Sequence, residues 1–300
     1  MLERVSLGDR KFVREALFWL SFAKRPLTLA ELNEAVVLDE TYTVLEDDSM
    51  LVSPRILLQI CQGLIDLDME WLNLAHSSIK EFLTSEWIRS SKVRYFSLNP
   101  SIADKALMRK CLSYLCLDNF QCGYTISNHL VRKRLETNPL LRYAAHFWAI
   151  HGASCNLDDD DRHLVNRLFE TKRLPRRGNF GLWVQTLLPE AHYEEIKATQ
   201  PLYYAASFGL IPVVKAILES DSNLEIDEPG GRNMSTPLFV ACWRQQYEVV
   251  ELLLRAGADP DIVDPSTGCT ALSFARWRDF HYLETILTKY NATSDDEIES

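Results

Sequence analysis

Two Trp-Arg pairs, Trp243-Arg244 and Trp277-Arg278, are the residues of this 300-residue chain whose types and spacing best suit chemistry. That chemistry is recognition. An indole offers a broad rigid apolar face, and a guanidinium offers a fixed charge with several donors in a planar fork. These residue types dominate binding hot spots. Residues arranged for bond-breaking are sparse. No G-x-x-x-x-G-K-[ST] phosphate loop occurs. No G-x-S-x-G nucleophile elbow occurs either, because Gly152-Ala153-Ser154 lacks the second glycine. His146 and His151 stand five residues apart with no matching Cys or His set, so no zinc site is expected. No paired carboxylates stand out. We expect no enzyme, no catalytic residue, no cofactor and no metal. His76, in Ala75-His76-Ser77, is the exception, since it starts a predicted helix where an imidazole could donate to an anion. The alternative is a purely structural histidine capping the turn that precedes that helix, the wing.

The elements that must position the Trp-Arg pairs repeat along the chain. Thr236-Pro237-Leu238-Phe239-Val240-Ala241 precedes the first pair, and Thr270-Ala271-Leu272-Ser273-Phe274-Ala275 precedes the second, 34 residues on. An earlier copy, Gln200-Pro201-Leu202-Tyr203-Tyr204-Ala205, lies 36 residues upstream of Thr236. A period near 33 with such openings resembles the ankyrin repeat, a turn followed by two antiparallel helices. Thr236 caps an inner helix with Pro237 in its first turn. Ala205, Ala206 and Ala241 permit close helix packing, and 213–218 and 249–254 supply outer helices. Gly257 suits the left-handed position after the second outer helix, and Gly268 the turn opening the third repeat. Three repeats are a minimum, so Phe180–Leu188 is expected to cap the first. Two departures put regularity in doubt. The glycine after the inner helix is Gly209 in the first repeat but Gln245 and Asp279 in the others, and an insertion surrounds Pro229-Gly230-Gly231. The resemblance places Trp243, Arg244, Trp277 and Arg278, with Phe208 in the first repeat, on the concave face where ankyrin proteins vary. The competing reading is that one Trp tucks against its own repeat with Arg stacked over it.

Upstream, Phe12–Phe22 reads as a helix with Phe12, Ala16, Trp19 and Leu20 on one face, stopped by Pro26. Thr28-Leu29-Ala30-Glu31 is a capping box. The acidic run Glu46-Asp47-Asp48 follows, and Ser53-Pro54 opens a third helix that ends near Gly63. The runs 64–68 and 70–75 form a hairpin, and Ser77 or Ser78 caps a helix through Trp87. Three helices, a hairpin and a closing helix describe a winged helix. The segments Leu17-Phe18-Trp19-Leu20, Arg25-Pro26-Leu27-Thr28-Leu29-Ala30-Glu31-Leu32 and Ala75-His76-Ser77-Ser78-Ile79-Lys80-Glu81-Phe82-Leu83 resemble the winged-helix module of fungal STAND proteins. The module carries the label "GPI inositol-deacylase winged helix domain". Asn138–Trp148 resembles the helical segment that follows it in that family. The resemblance implies nucleotide-driven switch receptors with a NACHT-type ATPase and innate-immunity-like signalling. It also implies that a histidine at the position of His76 contacts ADP phosphate when an ATPase is present. The family's Met-His-Asp reads Ala-His-Ser here. The family places its ATPase just upstream, which leaves Met1 either a true start or an internal methionine.

The expected organisation is mainly α. A winged-helix domain with a small β-hairpin spans 1–98, and a helical connector spans 99–194. An ankyrin solenoid of about three repeats spans 195–290, and an acidic tail 291–300. Within the connector, Asp158–Asp161 reads as a solvated turn or helix start. Lys172-Arg173-Leu174-Pro175-Arg176-Arg177 reads as an exposed basic loop, or else a nuclear-localisation patch. Net charge is −10, which disfavours nucleic acid and anionic membranes. The third helix, Pro54–Gln62, holds one cation and looks buried against protein, not poised for a DNA groove. No apolar run is long enough to span a membrane. Seven cysteines without a C-x-x-C pair read as reduced core thiols of an intracellular protein, so a cytoplasmic or nuclear location is expected. The expected function is protein recognition, with a NACHT-type ATPase as a possible second partner.

Overall fold

Thr28 organises the N-terminal architecture. The computed structural model describes residues 1–38, 43–44, 55–153, 155–220, 224–290 and 292–293. The acidic loop at Glu46–Asp48, the Ser53-Pro54 helix start, Ser154 and the tail from Ser294 lie outside the described residues. Thr28 Oγ1 accepts from the Glu31 N–H at 3.2 Å, and Glu31 Oε2 accepts from the Thr28 N–H at 2.9 Å. This reciprocal box satisfies two helix-start donors. It launches α2 (Leu29–Val37) after α1 (Arg10–Phe22) and the short strand β1 (Leu27–Thr28). The buried face of α1 is Val13, Ala16, Leu17, Phe18 and Trp19. Phe12 and Leu20, expected on that face, are half-buried. Trp19, on that face, packs edge-on against Tyr143, with centroids 5.7 Å apart.

Helix α3 (Arg55–Ile60) precedes the hairpin of β2 (Ile65–Asp68) and β3 (Trp71–Leu74). Only Leu57 of α3 is fully buried, so this helix is less enclosed than its apolar sequence suggests. The sheet order is β1-β3-β2, antiparallel throughout, with Leu27 opposite Leu72 and Asp68 opposite Trp71. Strand β1 has two residues, too few to show any period in the sequence. Met69 turns the hairpin with φ +53°. The helix expected to run through Trp87 is broken into α4 (Ser77–Thr84) and α5 (Glu86–Ser90). Ser85 makes the break: its hydroxyl donates to the Phe82 carbonyl at 2.8 Å and accepts from the Ile88 N–H at 3.4 Å.

The residues expected to form a separate connector build most of the remaining first unit, which comprises Met1–Gly123 with Ser127–Leu187. They form α6 (Pro100–Leu115), α7 (Asn128–Thr137), α8 (Leu140–Gly152), α9 (Asp159–Leu168) and α10 (Gly178–Leu187). Helix α6 packs on α1 and α8, and α8 packs on α2. Glu34 of α2 is buried at that junction. One of its oxygens accepts from Tyr114 Oη and from the Leu140 N–H, each at 2.8 Å. Burial is the largest influence on Glu34 and pushes its carboxyl above the usual range. Asp158–Asp161 does start a helix, with Asp158 as its cap. Asp161, however, is wholly buried, held by Arg109 Nε at 2.5 Å and Lys105 Nζ at 3.0 Å. A run of four acids looked solvated because its two cations come from α6, some fifty residues earlier.

The second unit comprises Tyr124–Ile126 with Leu188–Ser300. Helix α10, expected to cap the first repeat, belongs to the first unit, where Trp183 Nε1 donates to the Ala145 carbonyl at 3.1 Å. The short α11 (Tyr193–Ala198) adjoins the repeats through Thr199, whose Oγ1 accepts from the Gly231 N–H at 2.8 Å. Three helix pairs follow among the described residues. The inner helices are α12 (Pro201–Ser207), α14 (Pro237–Trp243) and α16 (Ala271–Trp277). The outer helices are α13 (Ile211–Ser220), α15 (Tyr247–Arg255) and α17 (His281–Lys289). Inner helices pack on inner and outer on outer, burying Leu202, Leu238 and Leu272 in one layer and Val214, Val250 and Leu283 in the other.

The joints are regular despite the missing glycines. Gln245 and Asp279 each adopt φ +56°, close to the +68° of Gly209. Hydrogen bonds recur in register: Leu210 N to Ala205 O, Gln246 N to Ala241 O and Phe280 N to Ala275 O, each at 2.9 Å. The turns before the second and third inner helices also correspond. Gly230 N donates to Ser235 O and Asp264 N to Cys269 O, with Met234 (φ +56°) standing where Gly268 (φ +70°) stands one repeat later. The insertion around Pro229–Gly231 thus leaves the hairpin before α14 intact.

Candidate recognition site

The Trp-Arg pairs end α14 and α16. Thr236 Oγ1 caps α14 by accepting from the Phe239 N–H at 3.1 Å, and Thr270 Oγ1 caps α16 by accepting from the Ser273 N–H at 3.3 Å. Each helix runs seven residues and closes with Trp, leaving Arg at the C-cap. The same geometry therefore places both pairs at one level of adjacent repeats. Phe208 is the corresponding C-cap of α12; it is half-buried and stacks on Tyr204 with centroids 6.4 Å apart.

Phe274 joins the second and third repeats. It is buried, and the Trp243 ring lies parallel to it at 5.0 Å with an 11° interplanar angle. Phe239, Trp277 and Phe280 surround the same ring at 5.3, 6.1 and 6.1 Å. Trp243 and Trp277 nonetheless stay 45% and 68% exposed. Arg278 lies over Trp277 at 5.7 Å and over Phe280 at 5.6 Å. The tucked arrangement is therefore present in part: an arginine covers Trp277, while Trp243 leans on the next repeat rather than its own. Arg244 is exposed, and no carboxylate lies within ion-pair distance of it among the described residues. Phe274 was not singled out from the sequence. Its signal was an aromatic three residues before a repeat-end Trp, which also fits an ordinary core residue. Tyr247 and Tyr282, likewise not anticipated, form an exposed edge-to-face pair at 5.0 Å.

His76 lies in the first unit as the N-cap of α4, a place expected for Ser77 or Ser78. Its Nδ1 accepts from the Ser78 N–H at 3.1 Å and lies 2.7 Å from Ser78 Oγ. An accepting Nδ1 leaves the ring proton on Nε2, and the side chain is exposed.

A second polar assembly in the first unit was missed in the sequence. His151 Nδ1 lies 2.6 Å from Asp104 Oδ1, and His151 Nε2 lies 2.9 Å from Tyr143 Oη. Tyr143 Oη also accepts from the Lys24 N–H at 3.0 Å, and Lys24 Nζ reaches Asp104 at 2.8 Å. Burial is the main influence on His151 and holds it below the usual imidazole range; the Asp104 bond opposes this and loses. Arg25 sits beside this group, bidentate to Glu31 at 2.6 and 2.8 Å and 5.2 Å over the Tyr143 ring. An Asp-His-Tyr chain has the order of a nucleophile relay, but Tyr143 has no exposed surface on which to meet a substrate. It braces α6 and α8.

No group of His, Cys, Asp and Glu suited to a metal ion occurs among the described residues. None of the described helices is long and apolar enough to cross a membrane. Of the cysteines, Cys61, Cys111, Cys116 and Cys242 are buried, and Cys122 is exposed. In the basic run, Arg176 and Arg177 turn the backbone with φ +48° and +61°, and Arg177 lies 5.1 Å over Phe180.

Comparison with known families adds two matches. The family described as "GPI inositol-deacylase, winged helix domain" matches residues 2–96. The family described as "Ankyrin repeats (3 copies)" matches residues 176–264 and 202–295. The chain joins a winged-helix domain of the GPI inositol-deacylase type to ankyrin repeats. A relative from Monascus ruber, "Azaphilone pigments biosynthesis cluster protein L", is 25% identical over 263 residues, covering 80% of this chain. The chain spans 54% of that relative's length. The Trp-Arg pairs thus belong to ankyrin inner helices, and His76 to the junction behind the wing.

Proposed function

We propose that this chain is a non-enzymatic protein-recognition module, with Trp243, Arg244, Trp277 and Arg278 as its contacts and Phe208 continuing the row on the concave ankyrin face. The supporting observation is the aromatic stack on Phe274, which pins two half-exposed indoles before any partner arrives. Pre-ordered aromatic anchors bind with little further loss of rotamer freedom. The module acts as an adaptor, or as the ligand-sensing part of a STAND-type receptor, in the cytoplasm or nucleus.

The test compares proteins retained by the full chain with those retained after all four residues become Ala. Loss of the retained partner is expected; the melting temperature falls with it because Trp243 stacks on buried Phe274, so the double variant Arg244→Ala/Arg278→Ala, which leaves that stack in place, should also weaken retention at an unchanged melting temperature. Retention of the same partner would overturn the assignment. A second reading, the regulatory half of a nucleotide switch acting with a NACHT-type ATPase, draws support from the exposed His76, whose Nδ1 is engaged by the Ser78 N–H. It requires that His76→Ala weaken association with such an ATPase in ADP and leave it unchanged without nucleotide.

A further inference from the structure

Resting on the recognition reading above, we propose that the partner is an acidic protein segment, bound in an extended polyproline-II-like conformation with two carboxylates three residues apart, one for Arg244 and one for Arg278.

Charge complementarity carries the partner class. The chain holds 42 Asp and Glu against 32 Lys and Arg, yet the three ankyrin inner helices contain no acid at all. Arg276 is already neutralised by Glu284 at 3.1 Å. Neither Arg244 nor Arg278 has such a partner among the described residues, and Arg278 makes only ring contacts. Three acids of the neighbouring turns accept from backbone. Asp227 accepts from the Asp259 N–H, Asp261 from the Thr293 N–H, and Asp264 from Ser266 and Thr267. No carboxylate among the described residues therefore closes to ion-pair distance on either arginine. A ligand carboxylate would supply it beside the indole faces, where a guanidinium is partly shielded from water.

Spacing carries the conformation. Arg244 and Arg278 cap adjacent inner helices, and packed helices stand about 8–10 Å apart. In polyproline II the rise is about 3.1 Å with three residues per turn, so residues i and i+3 face the same side about 9 Å apart. In a β-strand, residues i and i+3 point to opposite faces. A long polyanion such as single-stranded nucleic acid would find only these two cations free of an ion pair at the described ends of the inner helices, on a chain of net charge −10, so a short acidic peptide segment is the better fit.

The experiment selects peptides from a random dodecapeptide display library on the full chain and on the Arg244→Glu/Arg278→Glu variant. Arg→Gln variants serve if the reversed charges lower the melting temperature. Wild type is expected to enrich Asp or Glu at i and i+3, and the charge-reversed variant Lys or Arg at the same positions. The selected peptide should bind up to about fivefold more weakly for each arginine neutralised, and more weakly with rising salt. Enrichment of neutral or basic peptides that depend on Trp243 and Trp277 would overturn the acidic class and leave the recognition site standing. Peptides indifferent to all four residues would overturn both. Oligothymidine that binds wild type more tightly than the selected peptide, and is lost on charge reversal, would replace the peptide with nucleic acid and overturn the proposal.

Discussion

Replacing Gln245 and Asp279 by Gly should stabilise the ankyrin unit. Both residues hold φ +56° at the joint between inner and outer helices, where the first repeat has Gly209. A side chain in the left-handed region costs roughly 1–2 kcal/mol through its Cβ. Glycine removes that cost but loses about 0.4–1 kcal/mol by loosening the unfolded chain. Gln245→Gly also loses the exposed Tyr247 Oη to Gln245 Oε1 bond of 2.8 Å, a contribution of a few tenths of a kcal/mol at most. The balance is about 0.5 kcal/mol per site and about 1 kcal/mol for the double variant. For a unit near one hundred residues, that raises Tm by about 4–8 °C. Calorimetry of the full chain would read this as an upward shift of one transition with the other unmoved. Alanine at the same two positions keeps the Cβ and should gain nothing. Gly209→Ala should destabilise, since its Cβ would meet the Gln246 side-chain amide. A double-glycine variant no more stable than the double-alanine variant would refute the argument that these joints are strained.

Two further outcomes concern the first unit. His151 is held neutral, with its pKa below that of the unfolded chain. The unfolded chain therefore binds the proton first, and this stability is present above about pH 6.5 and lost as pH falls below it. His151→Gln should flatten the fall in Tm between about pH 7 and about pH 5, and a slope equal to wild type would refute the assignment. Iodoacetamide should label Cys122 first under native conditions, because burial pushes the Cys61, Cys116 and Cys242 thiols up to about 12. Mass spectrometry finding Cys61 or Cys242 labelled as early as Cys122 would contradict that burial.

Local rules made much of the fold legible in the residues themselves. Thr28 and Glu31 form their box within four residues, and Thr236 and Thr270 cap helices one turn away, so each signal is complete in a short stretch. The repeat offset of 34 residues by itself places Trp243 and Trp277 at equivalent ends of two helices. Strand β1 was invisible because its pairing partner, β3, lies more than forty residues away. The left-handed joints were misjudged for a different reason. Glycine is the usual residue there, but packing of the two flanking helices holds Gln245 and Asp279 in the same conformation and absorbs its cost.

Side-chain partnerships across the fold were decided by tertiary structure alone. The sequence offered three arginines near the repeat ends; packing paired Arg276 with Glu284 and left Arg244 and Arg278 without a carboxylate at ion-pair distance among the described residues. It offered a run of four aspartates, and the approach of α6 buried Asp161 between Arg109 and Lys105. It offered His151 as one histidine among seven, and the meeting of α6, α8 and the end of α1 put Asp104, Tyr143 and Lys24 around it. Periodicity and capping depend on neighbours within a turn or two, so the chain specifies them by itself. Charge pairing, aromatic stacking and burial depend on which distant surfaces meet, and only the packed structure brings those surfaces together.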